Sequence, residues 1–204
     1  MGYRLARLIC KLFISILYPL RIEGLHHIPA SGSVIICPNH VRWVDAILVA
    51  VAVRRPIRFM AKDDLFRFRA LGALFKLVGA FPVRRGQADR SAVRTALAVL
   101  SQGGALGMFP EGTRSRTGQL KRPESGAALL ALRACAPVVP VALLGPCRLF
   151  RPVRVAVCPP VDLERFRGQR VTTSLLDDVS MAIMAPLASR LGQEPPARGT
   201  GVEI

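Results

Sequence analysis

Four short strand-like runs, residues 34–37, 105–109, 138–144 and 153–158, the first three apolar throughout, constrain this chain more than any other feature. Each is too short for a helix, and each predicts a buried strand. A further strand is expected over 56–60, and a short one over 21–24. Between these runs the helical period dominates. Residues 46–53 predict a helix. Asp89 is placed to cap another that runs to Gln102, with Val93, Ala96, Leu97 and Leu100 on one face and Gly103 and Gly104 as terminators. Residues 126–135 predict an Ala- and Leu-rich helix, and 172–192 an amphipathic one interrupted or kinked at Pro186. Residues 63–78 are apolar over too wide an arc for a surface helix, so they should be buried in protein or dip into lipid. Strands alternating with helices make an α/β fold.

At 204 residues the chain suits one domain with a sizeable core. The balance of 29 Lys and Arg against 13 Asp and Glu gives a formal charge of +16, which draws a protein to polyanions. Nucleic acid is disfavoured as the partner. The basic residues are spread along the chain, no zinc-finger, RNP or zipper pattern is present, and one Trp with two Tyr offers little surface for stacking bases. An anionic membrane surface suits the charge better.

The stretch richest in chemistry is Pro38-Asn39-His40-Val41-Arg42-Trp43-Val44-Asp45, between the first buried strand and the helix after it. Imidazole takes a proton near neutral pH, and a carboxylate on its other ring nitrogen stabilises the imidazolium. Asp45 is a candidate for that carboxylate. On an ideal helix a five-residue separation sets two side chains about 140° apart, so the pair meets only if His40 lies before or at the first turn. The alternative is a helix-entry histidine beside an ordinary first-turn carboxylate.

A second stretch, Phe109-Pro110-Glu111-Gly112-Thr113-Arg114-Ser115, follows the strand at 105–109. Gly107 and Gly112 are spaced like P-loop glycines, but Thr113 stands where that loop requires Lys, which excludes a nucleotide triphosphatase of that type. Gly112 permits close backbone approach to a ligand, Thr113 brings a hydroxyl, and Arg114 brings a planar fork matched to phosphate oxygens. Glu111 is a candidate acceptor for a glycerol hydroxyl.

Taken in order, the two stretches resemble the lysophosphatidate acyltransferase family of glycerolipid acyltransferases, whose signature is Asn-His, four residues, Asp, and later Phe-Pro-Glu-Gly-Thr-Arg-Ser. Ala80-Phe81-Pro82-Val83-Arg84-Arg85 resembles a further family motif in which an arginine contacts the acceptor phosphate. Adjacent strand residues face opposite ways, so one of Arg84 and Arg85 points into the site, and position favours Arg85. The Val-Pro-Val of 139–141 resembles a fourth motif that borders the acyl site. The resemblance covers roughly residues 20–160.

The resemblance implies a mixed sheet flanked by helices and transfer of an acyl group from acyl-CoA or acyl carrier protein to a hydroxyl of 1-acylglycerol 3-phosphate. His40 would be the general base and Asp45 would orient it. Arg84 or Arg85 and Arg114 would hold phosphate, with Glu111, Gly112 and Thr113 shaping the pocket. Neither a metal nor an organic cofactor is required. A thioesterase-like hydrolase using the same pair on water, and a non-catalytic lipid-binding protein, are the competing readings. The chain also departs from the family pattern. Arg42 and Trp43 stand where small polar residues are common, and the charge of Lys121 is displaced from the glycine matched to Gly126.

Outside the core, residues 3–20 carry apolar side chains at 5, 8, 9, 12, 13, 16, 17 and 20, with Arg4, Arg7 and Lys11 opposite. This stripe is too short and too charged to span a bilayer and predicts a helix lying in the membrane interface, or else one packed on the core. The expected organisation is a membrane-associating helix over 1–20, an acyltransferase domain over 21–193 and a flexible tail over 194–204. The enzyme would sit peripherally or monotopically on the cytoplasmic face of the membrane. Five cysteines without a Cys-x-x-Cys pair predict mostly buried, reduced thiols, and Cys37 with His40, His26 and His27 falls short of a closed metal site.

Overall fold

The computed structural model describes residues 12, 14–68, 72–73, 75–76, 79–84 and 89–197. Its centre is a seven-stranded sheet. The strands are β1 (Leu20–Glu23), β2 (Val34–Pro38), β3 (Ile57–Lys62), β4 (Phe81–Val83), β5 (Ala105–Gly107), β6 (Val138–Leu144) and β7 (Val153–Val157). Their order across the sheet is β1-β7-β6-β2-β5-β3-β4. All neighbours are parallel except β6 and β7, so the sheet is mixed.

Among the described residues four α-helices flank it: α1 (Asp45–Ala52), α2 (Arg90–Ser101), α3 (Gly126–Ala134) and α4 (Thr173–Leu191). Strand β2 shows why its sequence lacks alternation. Val34 and Ile36 pack with Leu48, Val49 and Ala52 of α1, while Ile35 and Cys37 pack with Ala96 and Leu100 of α2 and with Leu130 of α3. With both faces covered, every position must be apolar. At the far end, Met184 and Leu187 of α4 close over Ala142 and Ala156.

Capping follows the sequence closely. Asp89 accepts the N–H groups of Ser91 and Ala92 at 3.0 Å each, and those bonds with the N–H of Arg84 hold its carboxyl down at about 2. Gly103 takes φ 71° just beyond α2, and Pro186 lies inside α4.

One expectation needs revision. No single helix starts at residue 63: Asp63–Phe66 form a 3₁₀ turn, and farther on, among the described residues, only 72–73 and 75–76 are helical before β4. Gly72 sits where a Cβ would meet the Phe66 carbonyl oxygen at 2.8 Å, so the chain folds back on itself there. Of the N-terminal stripe, positions 5, 8, 9 and 13 lie outside the described residues. Leu12 and Ile16 are exposed, whereas Ile14, off the stripe, is buried in the core. No helix among the described residues is long and apolar enough to cross a membrane.

Candidate active site

The parallel register sets Ile36 of β2 beside Gly107 of β5. The loops that follow these strands therefore leave the same edge of the sheet side by side, the usual place for ligands in an α/β fold. One carries His40 and Asp45, and the other carries Phe109 to Ser115.

His40 precedes α1 by five positions and Asp45 is the first residue of that helix, so the geometric condition on the pair is met. His40 Nδ1 and Asp45 Oδ2 are 3.1 Å apart, and both residues are buried. The same carboxylate oxygen accepts the N–H groups of Val41 at 2.7 Å and Arg42 at 2.6 Å. Asp45 thus orients the imidazole and folds the loop that carries it. His40 Nε2 makes no hydrogen bond to the described residues.

The second loop grips His40 at three points. Glu111 Oε1 accepts the His40 N–H at 2.7 Å, the Ser115 N–H donates to the His40 carbonyl at 2.7 Å, and the Phe109 ring stacks on the imidazole with centroids 3.8 Å apart and planes 18° from parallel. Phe109 is backed in turn by Phe59 at 6.0 Å. Gly107 makes that column possible, because a Cβ there would lie 2.5 Å from the Phe59 ring. On the other side, Asn39 holds β6 through both ends of its amide: Oδ1 accepts the Leu143 N–H at 2.7 Å and Nδ2 donates to the Leu143 carbonyl at 3.4 Å.

Glu111 stands differently from the acceptor role expected of it. It is 3% exposed, and its second oxygen accepts the Lys121 N–H at 3.0 Å. Burial raises its carboxyl above the usual range, with the N–H groups of His40 and Lys121 pulling it back. It joins the His40 loop to the backbone of Lys121 beneath the surface.

Gly112 has φ 67°, and a Cβ there would meet Glu124 Cγ at 2.8 Å. Thr113 Oγ1 accepts from Lys121 Nζ at 2.6 Å, which brings the displaced lysine onto the same loop. Arg114 is exposed. Arg84 ends β4 at the same edge, with its backbone N–H on Asp89 Oδ2 and its side chain exposed. Arg85, the arginine favoured by position in the sequence, lies outside the described residues. Asn39, Phe109 and Ser115 also serve the site, although the sequence alone does not assign them a role. Their signal is membership of the two motifs, but their contacts are tertiary.

The sequence profile of the acyltransferase family matches residues 19–144, well over half of the chain. The chain belongs to the acyltransferase family. Among its relatives in that family is the 1-acyl-sn-glycerol-3-phosphate acyltransferase of Bacillus subtilis (strain 168), 35% identical over 138 residues, which are 67% of this chain and 68% of the relative. The chloroplastic 1-acyl-sn-glycerol-3-phosphate acyltransferase LPAT1 of Arabidopsis thaliana is 29% identical over 144 residues, 67% of this chain but 40% of that longer protein. The crystal structure of the 1-acyl-sn-glycerophosphate acyltransferase PlsC from Thermotoga maritima superposes with a TM-score of 0.72 at 23% identity, covering 92% of this chain and 79% of that one. This last likeness speaks for the acyltransferase fold.

Among the described residues no group of three or more His, Cys, Asp or Glu could hold a metal ion. Cys37 and Cys158 are buried free thiols, Cys147 is half-buried and Cys135 is exposed, while Cys10 lies outside the described residues. Burial pushes the Cys37 thiol up to about 12, which keeps it protonated and unreactive three positions from His40.

Proposed function

We propose that this acyltransferase moves a fatty acyl group from the thioester of acyl-CoA or acyl carrier protein to the free hydroxyl of 1-acylglycerol 3-phosphate, giving phosphatidic acid. The observation that carries the reading is the His40–Asp45 pair, with Nδ1 on the carboxylate and Nε2 left for the acceptor. His40 removes the hydroxyl proton as the acceptor oxygen attacks the thioester carbonyl. Asp45 stabilises the imidazolium, and the thiolate leaves with that proton as free thiol. The nucleophile comes from the substrate, so the chain needs no serine or cysteine in that place.

Arg114 and Arg85, with Arg84 as the alternative of that pair, bind the acceptor phosphate. Glu111 acts as a positioning residue in place of a substrate contact. Neither metal nor organic cofactor takes part. The enzyme works from the cytoplasmic face of the membrane as a peripheral or monotopic protein, and nucleic acid is not a partner. The activity named for the relatives supports the acceptor, and the exposed arginines beside the site support an anionic headgroup.

The test is release of thiol from a long-chain acyl-CoA or acyl carrier protein, with and without 1-acylglycerol 3-phosphate. Acceptor-dependent release that disappears in His40→Ala supports the reading. Release that ignores the acceptor makes the protein a thioesterase and overturns it.

A further inference from the structure

Ile22 and Val171 apart, every exposed large apolar side chain among the described residues stands at one edge of the sheet, the edge that carries His40. Trp43 follows β2, Phe68 follows β3, and Leu149 and Phe150 follow β6. Leu12 and Ile16 precede β1, whose start lies at this edge because β1 and β7 run against β6. Trp43, Phe68 and Phe150 are 72%, 71% and 66% exposed, far more than large aromatic rings keep in a monomer without a use for them.

The loops carrying these residues touch one another. The Phe150 N–H donates to the Leu17 carbonyl at 2.7 Å, and the Cys147 thiol lies within electrostatic reach of Arg42 and Asp45. Phe150 also holds φ 60°, a left-handed backbone that bulky residues rarely take, so the loop presents its ring outward against local preference.

The charges of this edge select the partner. Arg42, Arg84, Arg114, Arg148 and Arg151 have no carboxylate within ion-pair distance among the described residues. Of the acids at this edge, Asp45 and Glu111 are buried and engaged, Asp64 is paired with Lys62 and Arg67, and Asp89 accepts the Arg84 N–H, which leaves Asp63 and Glu124 against five arginines. Apolar tips on three loops and on the segment before β1, interleaved with guanidinium groups outside ion pairs, match a surface of acyl chains under phosphate headgroups.

We infer that the loops after β2 and β6, with Phe68 after β3 and Leu12 and Ile16 before β1, form a contact surface for an anionic phospholipid bilayer, with Trp43, Leu149 and Phe150 entering the acyl region around the mouth of the active site. This rests on the reading that the acceptor is a lipid, which then reaches His40 without crossing water. Trp43 is one of the chain's departures from its family's pattern and its only tryptophan, so the native protein carries its own reporter.

The experiment mixes the full chain with vesicles of phosphatidylcholine containing about one-third phosphatidylglycerol, and with pure phosphatidylcholine. Expected with the anionic vesicles are a blue shift of Trp43 emission and its quenching by brominated acyl chains. Leu149→Ser with Phe150→Ser should weaken vesicle binding ~10-fold or more, given the apolar area withdrawn from lipid. Arg148→Glu with Arg151→Glu should abolish the preference for anionic vesicles.

Transfer to a short-chain, monomeric acceptor should be unchanged in the Leu149/Phe150 variant, which shows that the variant is folded. Vesicle binding in which Trp43 stays open to iodide and unquenched by bromolipid would overturn the inference. So would absence of vesicle binding, with or without self-association through this face. If Trp43 enters the bilayer but no acyl transfer occurs, the surface stands and the proposed function falls. If transfer occurs without Trp43 insertion, the proposed function stands and the surface falls.

Discussion

The carboxylate of Glu111 accepts the backbone N–H of His40 at 2.7 Å across 71 positions of sequence. The bond makes the second loop part of the base's own mounting, because the imidazole can hold its angle only if the backbone beneath it is fixed. Glu111→Gln should lower kcat ~10–100-fold with little change in KM, since Gln keeps one acceptor but turns an NH₂ toward a backbone N–H. Steady-state kinetics in the acceptor separate this from a substrate-binding role, in which KM would carry the loss.

Glu111 also gives stability a pH signature. Its carboxyl is raised in the fold, so ionisation is harder there than in the unfolded chain. Its contribution is most favourable below the ordinary carboxylate range and is lost as pH rises through the folded value. Glu111→Gln removes that titration. Relative to the variant, the native protein should lose stability as pH rises from the ordinary carboxylate range to the raised folded value, measured by urea unfolding.

Asp89 has the opposite sign. Its carboxyl is held down at about 2 by backbone and hydroxyl donors, so its contribution is present above the unfolded carboxylate value and is lost as pH falls towards 2. Asp89→Ala should cost about 1 kcal/mol at neutral pH as a lost helix cap. The difference from native should vanish in acid, and thermal unfolding of both proteins across pH reads it.

His40→Ala and Asp45→Ala should differ in stability more than in activity. Both lose acceptor-dependent thiol release, by ~10²–10⁴-fold for the base. Asp45→Ala, unlike His40→Ala, also releases the N–H groups of Val41 and Arg42 into a buried loop and should be measurably less stable. Equal melting temperatures for the two variants would show that Asp45 does not organise the loop.

Gly107→Ala should destabilise by about 1–3 kcal/mol, because its Cβ would collide with the Phe59 ring and Ile57. Activity should fall more than stability alone explains, since Phe59 backs Phe109 and Phe109 lies on His40. A circular-dichroism melt beside kcat checks both.

Much of this architecture is legible along the chain because it is local. A run such as 34–37 is apolar throughout because both faces are covered, and Asp89 announces a cap through its spacing to the helix it starts. His40 and Asp45 are readable as a pair because five residues of one loop join them. Residues 63–66 form a 3₁₀ turn where a longer helix is expected, while Phe66 and Phe75 pack against the core as the apolar content of this stretch predicts.

Periodicity, caps and short spacings thus give most of the strands and helices and the α/β class, and make Asp45 a candidate partner for His40, before any packing is known. What Glu111 does depends on packing alone. The same holds for the clamp of Asn39 on β6, the grip of Ser115 on the His40 carbonyl and the gathering of exposed apolar tips at the edge beside the base. The reason is the strand order. Setting β5 next to β2 and β6 on its other side brings together groups dozens of residues apart, and their hydrogen bonds depend on register that no local pattern encodes.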